Sequence, residues 1–266
     1  MKNLVLTFHN VTDTKWFERT IQIISRFYHF GSLNDLNQRL RTGQGATPMQ
    51  MCFLTFDDGE KSVYQNVYPI IKRTGTPIAV FVSPENIRNG GSFWFQRIRL
   101  LDESRVESMK TLCLSDINKC INDLDPQHKS DIDSNINIDM FREMQQSGLV
   151  TFGAHTQNHP ILANENNKVA EYEIKQSISE LRTLLRSDVD FFAFPNGTMN
   201  DFIQRDVEYL KEMNIKLAFT MNNAFADDSD YFRVNRVGIS NGGKFQIIAK
   251  ILFPRLYVWL KHIIKS

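Results

Sequence analysis

Short apolar runs alternate with longer amphipathic stretches along the chain. The runs Leu4–Phe8, Met51–Phe56, Ile78–Val82, Val150–Gly153, Phe191–Phe194, Leu217–Thr220 and Val237–Ile239 have strand length and end in polar or turn residues. Between them, apolar residues recur at helical spacing. Phe17–Tyr28 carries Ile21, Ile24, Phe27 and Tyr28, and Asn167–Leu185 carries Val169, Tyr172, Ile174, Ile178, Leu181 and Leu185. Val63–Arg73 and Asp139–Gln146 stop just before Gly75 and Gly148, and Asn200–Met213 follows a Gly-Thr turn. This alternation predicts an α/β fold with a mainly parallel sheet. Seven strands with helices between them predict a barrel, and a doubly wound sheet is the rival that periodicity does not separate.

Two stretches break the rhythm. After the third strand, residues 93–137 contain helical patterns at Phe93–Leu101 and at Ser115–Leu124, the latter starting at Ser115 or Asp116, and then a polar loop over 128–137. The segment reads as a helical insertion in a single domain. At the other end, Lys244–Ser266 mixes Ile, Leu, Phe, Tyr and Trp with Lys and Arg, and Pro254 divides it. The predicted organisation is a barrel over 1–242 followed by a basic amphipathic helical tail over 243–266.

Composition divides the chain into an acidic and a basic part. With 266 residues and 42% hydrophobic content, disorder, collagen and disulfide scaffolds are excluded. Lys+Arg number 31 against 30 Asp+Glu, but the last acid is Asp230. The 36 residues from Tyr231 hold seven of the basic residues, so the first 230 carry 24 − 30 = −6 and the rest +7. An acidic body argues against a nucleic-acid partner. The basic tail reads as a final barrel helix with a solvated edge, or as an interfacial helix making peripheral contact with anionic lipid. Cys52, Cys113 and Cys120 form no CxxC pair, which fits a reducing compartment. No signal-peptide core and no run of 18 apolar residues is present. The expectation is a cytoplasmic protein, with the inner face of the membrane as the alternative. Nothing in the sequence bears on oligomeric state.

Chemistry gathers where predicted strands end. Thr55-Phe56-Asp57-Asp58-Gly59 places two carboxylates at a turn, and the plain Asp-Asp-Gly turn is the bland reading. His155 and His159 follow the fourth predicted strand, four residues apart, although Pro160 biases His159 away from helix. Together, Asp58, His155 and His159 make a facial set of two imidazoles and a carboxylate with open coordination positions. Zn²⁺ is the expected ion, and Co²⁺, Fe²⁺ or Ni²⁺ also suit the set. Asp57 is then free to act as general base. Phe194-Pro195-Asn196-Gly197 is a turn that can present a backbone N–H near Asn196 to an oxyanion, and His9 ends the first strand at the same mouth.

These motifs resemble the polysaccharide deacetylase family, the NodB-homology domain of carbohydrate esterase family 4. The resemblance rests on T-F-D-D-G, then G-A-H-T-x-x-H-P, then F-A-F-P-x-G, and it extends over roughly residues 3–240. It implies a distorted (β/α)7 TIM-like barrel and metal-dependent removal of an acetyl group from an N-acetylated carbohydrate: a polysaccharide, an oligosaccharide or a lipid-linked precursor of a cell-surface glycan. By the same resemblance Asp57 is the base, Asp58, His155 and His159 are the metal ligands, and Thr156 steadies their loop. Two positions depart from the pattern. Ala193 stands where an Arg often orients the base, and Arg236, at the start of a late strand, is the expected substitute. The late catalytic histidine of many members is missing, so the acid is Asp57 itself or His9. Trp94, with Phe93 and Phe95, is expected to stack on sugar or to pack a core, and Pro195 to line the substrate site. The alternatives are an inactive glycan-binding protein on this fold, or a glycosyltransferase, which would share the paired Asp but not need the two histidines.

Overall fold

The computed structural model describes residues 2–43 and 50–265, the side chains of Asn89 and of residues 260–265 excepted. The latter include that of His262. Its strands are β1 Leu4–Phe8, β2 His29–Phe30, β3 Met51–Phe56, β4 Ile78–Val82, β5 Val150–Ala154, β6 Phe191–Ala193, β7 Leu217–Thr220, β8 Val234–Asn235 and β9 Val237–Gly238. They pair in the order β8-β7-β6-β5-β4-β3-β1-β9, with β2 added on β3. Every pairing is parallel. β8 and β9 are one stretch of chain interrupted at Arg236. Its first half pairs with β7 and its second half with β1. A single stretch thus bridges the two ends of the sheet and brings a parallel barrel nearly to closure. This decides between the barrel and the doubly wound sheet.

Alternation along the strands fills the barrel. Val5, Phe53, Ala79, Phe81, Phe191, Ala193, Leu217, Phe219 and Val234 form the inner cluster. Their neighbours Leu4, Leu6, Phe8, Cys52, Leu54, Phe56, Ile78, Val80 and Val82 face the helices. Gly153 is needed in β5 because a Cβ there would lie 2.5 Å from the Phe81 ring and 2.9 Å from the Phe191 carbonyl. The ring of Phe81 occupies the room that a larger residue would take.

The helices differ from the sequence reading in instructive places. Helix Thr14–Ile24 starts before the predicted stripe because Asp13 caps it by accepting from the Trp16 N–H at 2.9 Å. Helix Leu33–Thr42 was not predicted, although Ser32 and Asp35 form a capping box. In Asn167–Leu185 the buried stripe is Ala170, Glu173, Ile174, Ser177, Ile178 and Leu181, and Tyr172 is exposed. The last predicted helix is shorter, Gln204–Glu212. Between β4 and β5 the helices are Pro84–Asn89, Trp94–Asp102, Val106–Met109, Leu114–Leu124 and Ile138–Gln146, and Leu114–Leu124 is preceded by Cys113 rather than capped by Ser115 or Asp116. The expected loop is tied down: Ile136 N–H donates to Gly59 O at 2.8 Å and Lys61 N–H to Ser134 O at 2.9 Å.

The chain continues past residue 242 against the core. Helix Lys244–Leu252 buries Ile247 and Ile251 in the main core, and the Tyr28 hydroxyl donates to Ile251 O at 2.7 Å. Trp16 Nε1 donates to Gly242 O at 3.1 Å. This first half of the expected tail is a barrel helix. Pro254 then begins helix Pro254–Lys265.

Candidate active site

The parity that fills the barrel also aims the site residues. Inward positions Phe53 and Thr55 continue to Asp57, Phe81 to Ser83, and Gly153 to His155. Asp57 and His155 still belong to the sheet ladder: Asp57 N–H donates to Phe8 O at 3.1 Å and His155 N–H to Val82 O at 3.0 Å. Arg236 lies at the closure seam, two residues beyond inward-facing Val234. Asp58 follows Asp57 and would point outward in a strand. Instead Asp58 and Gly59 are both left-handed, with φ of 69° and 64°, and this turn brings the Asp58 carboxylate back to the mouth.

Asp58, His155 and His159 are buried together, and one ligand atom from each lies within 4.8 Å of the others. The Nε2 atoms of His155 and His159 lie 3.5 and 3.3 Å from Asp58 Oδ1. His155 Nδ1 is 2.8 Å from the Ala193 carbonyl. A carbonyl only accepts, so Nδ1 carries a proton, which leaves Nε2, facing Asp58, as the nitrogen able to bind a metal. Asp58 Oδ1 and His159 Nδ1 have no hydrogen-bond partner. The two Nε2 atoms thus converge on a carboxylate oxygen in a buried space, an arrangement that a divalent cation completes. The residues fit a metal.

Asp57 has a different partner. Arg236, wholly buried, donates from Nη1 and Nη2 to its two carboxylate oxygens at 2.6 and 2.7 Å. Nη1 also reaches the Thr55 and Thr7 hydroxyls, at 3.2 and 3.3 Å, and the guanidinium lies over the Phe81 and Phe219 rings. Burial pushes the Asp57 carboxyl up, but Arg236, with His155, outweighs it and holds the group below the ordinary carboxylate range. Arg236 therefore orients Asp57 from the position where the sequence suggested a substitute for Ala193.

The loop that carries both histidines is strained and clamped. Thr156 and His159 are left-handed, with φ of 64° and 58°, a conformation that is costly for a β-branched residue. The Thr156 hydroxyl donates to His155 O at 2.5 Å and accepts from His159 N–H at 3.0 Å. Buried Glu173 accepts from the N–H groups of Gln157 and Asn158 at 3.0 and 2.7 Å, and from Asn158 Nδ2 at 2.8 Å. The sequence reading missed Glu173. The signal was an acid on a buried helical stripe, hidden because the stripe was phased through Tyr172. Glu173→Ala is expected to weaken metal affinity about 10–100-fold and to lower stability by about 1–3 kcal/mol, read by metal titration and thermal unfolding. Unchanged metal affinity would remove Glu173 from the site.

One pocket of about 500 Å³, its open mouth included, collects most of the expected residues: His9, Asp57, Asp58, Trp94, His155, His159 and Asn196, with Phe95 beside them. His9 is exposed there. Asn196 is left-handed, with φ of 58°, and its side chain donates to Asp201 Oδ2 at 2.7 Å. Pro195 corrects an expectation, for it is buried behind this turn and is not part of the pocket wall. Trp94 corrects another in part. It is 5% exposed, so its ring packs in the cluster of Phe93, Phe95, Ile98 and Val106 rather than lying open for a sugar. Its indole N–H donates to the His159 carbonyl at 2.8 Å, while the Phe95 ring centroid lies 4.7 Å from that of His159. The aromatic cluster thus packs on a histidine of the candidate metal set.

The fold is a parallel α/β barrel whose mouth carries a buried Asp-His-His set able to hold a metal ion, and the family model described as polysaccharide deacetylase matches residues 44–218. The chain belongs to the polysaccharide deacetylase family. It is similar to the poly-beta-1,6-N-acetyl-D-glucosamine N-deacetylase of Staphylococcus epidermidis, 25% identical over 199 residues that cover 74% of this chain and 57% of the relative. The corresponding Staphylococcus aureus enzymes are 22% identical over 207 residues. The chain thus spans less than two thirds of the length of the curated relatives it matches. Among solved structures, IcaB from Ammonifex degensii superposes with a TM-score of 0.70 at 18% identity, covering 97% of this chain and 96% of that one. The Streptococcus pyogenes deacetylase PplD, solved with acetate, gives 0.68 at 19% identity, covering 94% and 98%. These likenesses establish the fold.

Proposed function

We propose that this chain is a metal-dependent hydrolase that removes the acetyl group from an N-acetylated sugar of a cell-surface glycan or its precursor. The observation that carries the reading is the pairing, in one pocket, of a buried Asp-His-His set with a separate carboxylate held by a buried arginine. Asp58, His155 and His159 would hold the metal, and the imidazole-rich donor set favours Zn²⁺. A divalent ion bound there supplies Lewis-acid charge and lowers the pKa of water toward about 7.

The remaining chemistry falls to side chains and backbone. Asp57, kept ionised by Arg236, takes the proton of the attacking water. Arg236 fixes the carboxylate in the plane that the transfer needs. The developing oxyanion faces the turn at Asn196, whose backbone is assigned as a donor. His9, an exposed imidazole in the pocket wall, protonates the departing amine. The products are acetate and a free amino sugar. The name of the curated relatives supports N-acetylglucosamine as the sugar type. Acetate release from N-acetylated oligosaccharides, with and without chelator, tests the reading. Release from none of them, with metal bound, would leave a glycan-binding protein.

We also propose peripheral contact with anionic membrane through the C-terminal helices, at the inner face of the membrane. Phe245 is 85% exposed, and Phe253, Leu256 and Trp259 are exposed as well. Residues 244–266 contain Lys244, Lys250, Arg255, Lys261 and Lys265 and no acid. No described helix is long and apolar enough to cross a membrane. The free cysteines Cys52, Cys113 and Cys120 support a reducing compartment. Because helix Lys244–Leu252 belongs to the barrel, the test uses point variants rather than truncation. Phe245→Ser with Trp259→Ser is expected to lose flotation on phosphatidylserine vesicles; equal flotation rejects the contact.

A further inference from the structure

The pocket wall holds two cations that the proposed reaction does not use. Arg99 comes from helix Trp94–Asp102 and Lys110 from just after helix Val106–Met109, and both line the same pocket as Asp57, Asp58 and the two histidines. Arg99 is exposed, its guanidinium lies 5.1 Å from the centroid of the Phe95 ring, and that ring packs on His159. It has no hydrogen-bond or ion-pair partner among the described residues. Lys110 is half-buried. Its Nζ is 2.8 Å from Glu107, an exposed surface acid outside the pocket wall, and its carbonyl accepts from Asn164 Nδ2 at 2.8 Å. The backbone that presents Lys110 is therefore anchored.

Charge accounting makes this arrangement informative. Asp57 and Asp58 are the acids that line the wall, and buried Glu60 beside them also acts electrostatically on Arg99 and offsets part of its charge. Asp57 is spent on Arg236 and Asp58 on the metal set. A divalent ion there would add positive charge beside two further cations, and repulsion between like charges in a partly desolvated pocket is unfavourable. An anionic group on the ligand reverses the sign of that interaction. In a 2-acetamido sugar the anomeric oxygen and the acetamide nitrogen sit on adjacent ring carbons. A phosphoryl group on that oxygen therefore enters the pocket together with the acetyl group. A neutral N-acetylglucosamine polymer offers Arg99 only hydroxyl and ring oxygens, which are weaker acceptors than a phosphoryl group.

We infer that Arg99 and Lys110 form an anion subsite that selects 2-acetamido-sugar 1-phosphate or 1-diphosphate esters. The inference rests on the deacetylase reading and names its substrate class. Either a nucleotide-linked or a lipid-linked sugar supplies this chemistry.

The test is calorimetric binding to the metal-loaded full-length protein. The probes are N-acetylglucosamine 1-phosphate, UDP-N-acetylglucosamine, a polyprenyl diphosphate N-acetylglucosamine in detergent, and neutral methyl N-acetylglucosaminide. Wild type is expected to bind the phosphorylated sugars at least about tenfold more tightly than the neutral one, and Arg99→Gln and Lys110→Gln should each reduce that advantage about tenfold, the worth of a charged hydrogen bond. Tighter binding of the polyprenyl ester than of the nucleotide sugar names the lipid-linked source, and the reverse names the nucleotide. Equal affinity for neutral and phosphorylated sugars overturns the subsite. So does a phosphate advantage that survives both substitutions, which puts the anion on the metal. Acetate release is followed in parallel. Release from neutral oligosaccharide without phosphate preference sinks the subsite alone. A preference lost in Arg99→Gln, with no acetate released from any probe, sinks the deacetylase reading and leaves the subsite standing.

Discussion

Asp57→Asn is expected to keep its fold and its metal and to lose acetate release by about 10²–10⁴-fold, the range for removing a general base. Asn has almost the shape of Asp but accepts no proton at neutral pH. The proposed metal ligands are untouched, because Asp58 and not Asp57 faces His155 and His159. Arg236 keeps other acceptors in the Thr7 and Thr55 hydroxyls and still lies over two Phe rings. Folding therefore survives at reduced stability, and the loss falls on kcat. Metal content with kcat and KM measured on one preparation separates the cases. Wild-type turnover would remove Asp57 from the base role, and loss of metal would make it a ligand instead.

Arg236→Met is expected to have the largest effect on stability, about 3–5 kcal/mol, because it leaves the Asp57 charge buried and unpaired. Arg236 and Asp57 are 0% and 3% exposed, so water does little to screen the pair. Arg236 also stands where β8 gives way to β9, at the closure of the barrel, so backbone pairing to β1 and β7 depends on the same few residues. A fall in Tm on the order of 10 °C is expected. Combining Arg236→Met with Asp57→Asn should recover part of it, since the double variant buries neither charge. A double variant that loses the sum of the two single effects would mean that packing, and not the ion pair, is what Arg236 supplies.

Much of the site was legible because strand parity is a rigid rule. Asp57 and His155 each lie just past an apolar run, and the barrel sends both to its mouth. Arg236 was readable from its place beside the last strand, but its bidentate grip on Asp57 depends on closure of the ring, which no local pattern contains. Helix Leu33–Thr42 escaped notice because Asn, Gln and Arg dilute its apolar spacing, even though the Ser32–Asp35 capping box is local. Glu173 and Arg99 escaped for different reasons. Glu173 sits on a stripe expected through Ile174, Ile178 and Leu181, but with Val169 and Tyr172 in place of Ala170 and Glu173 in its first turns. Arg99 reaches the pocket only through the path of the helices between β4 and β5, which follows from tertiary packing around Phe93, Phe95 and Ile98. Phe245 and Trp259 are exposed as an apolar and basic tail suggests, while Ile247 and Ile251 tie its first half to the barrel.

If Asp58, His155 and His159 hold the metal on which deacetylation depends, metal content and acetate release must fall together. Measured on the same preparations, wild type should contain stoichiometric divalent metal and release acetate in a chelator-sensitive way, and His155→Ala should lose both. Acetate release that persists in metal-free His155→Ala would contradict that dependence.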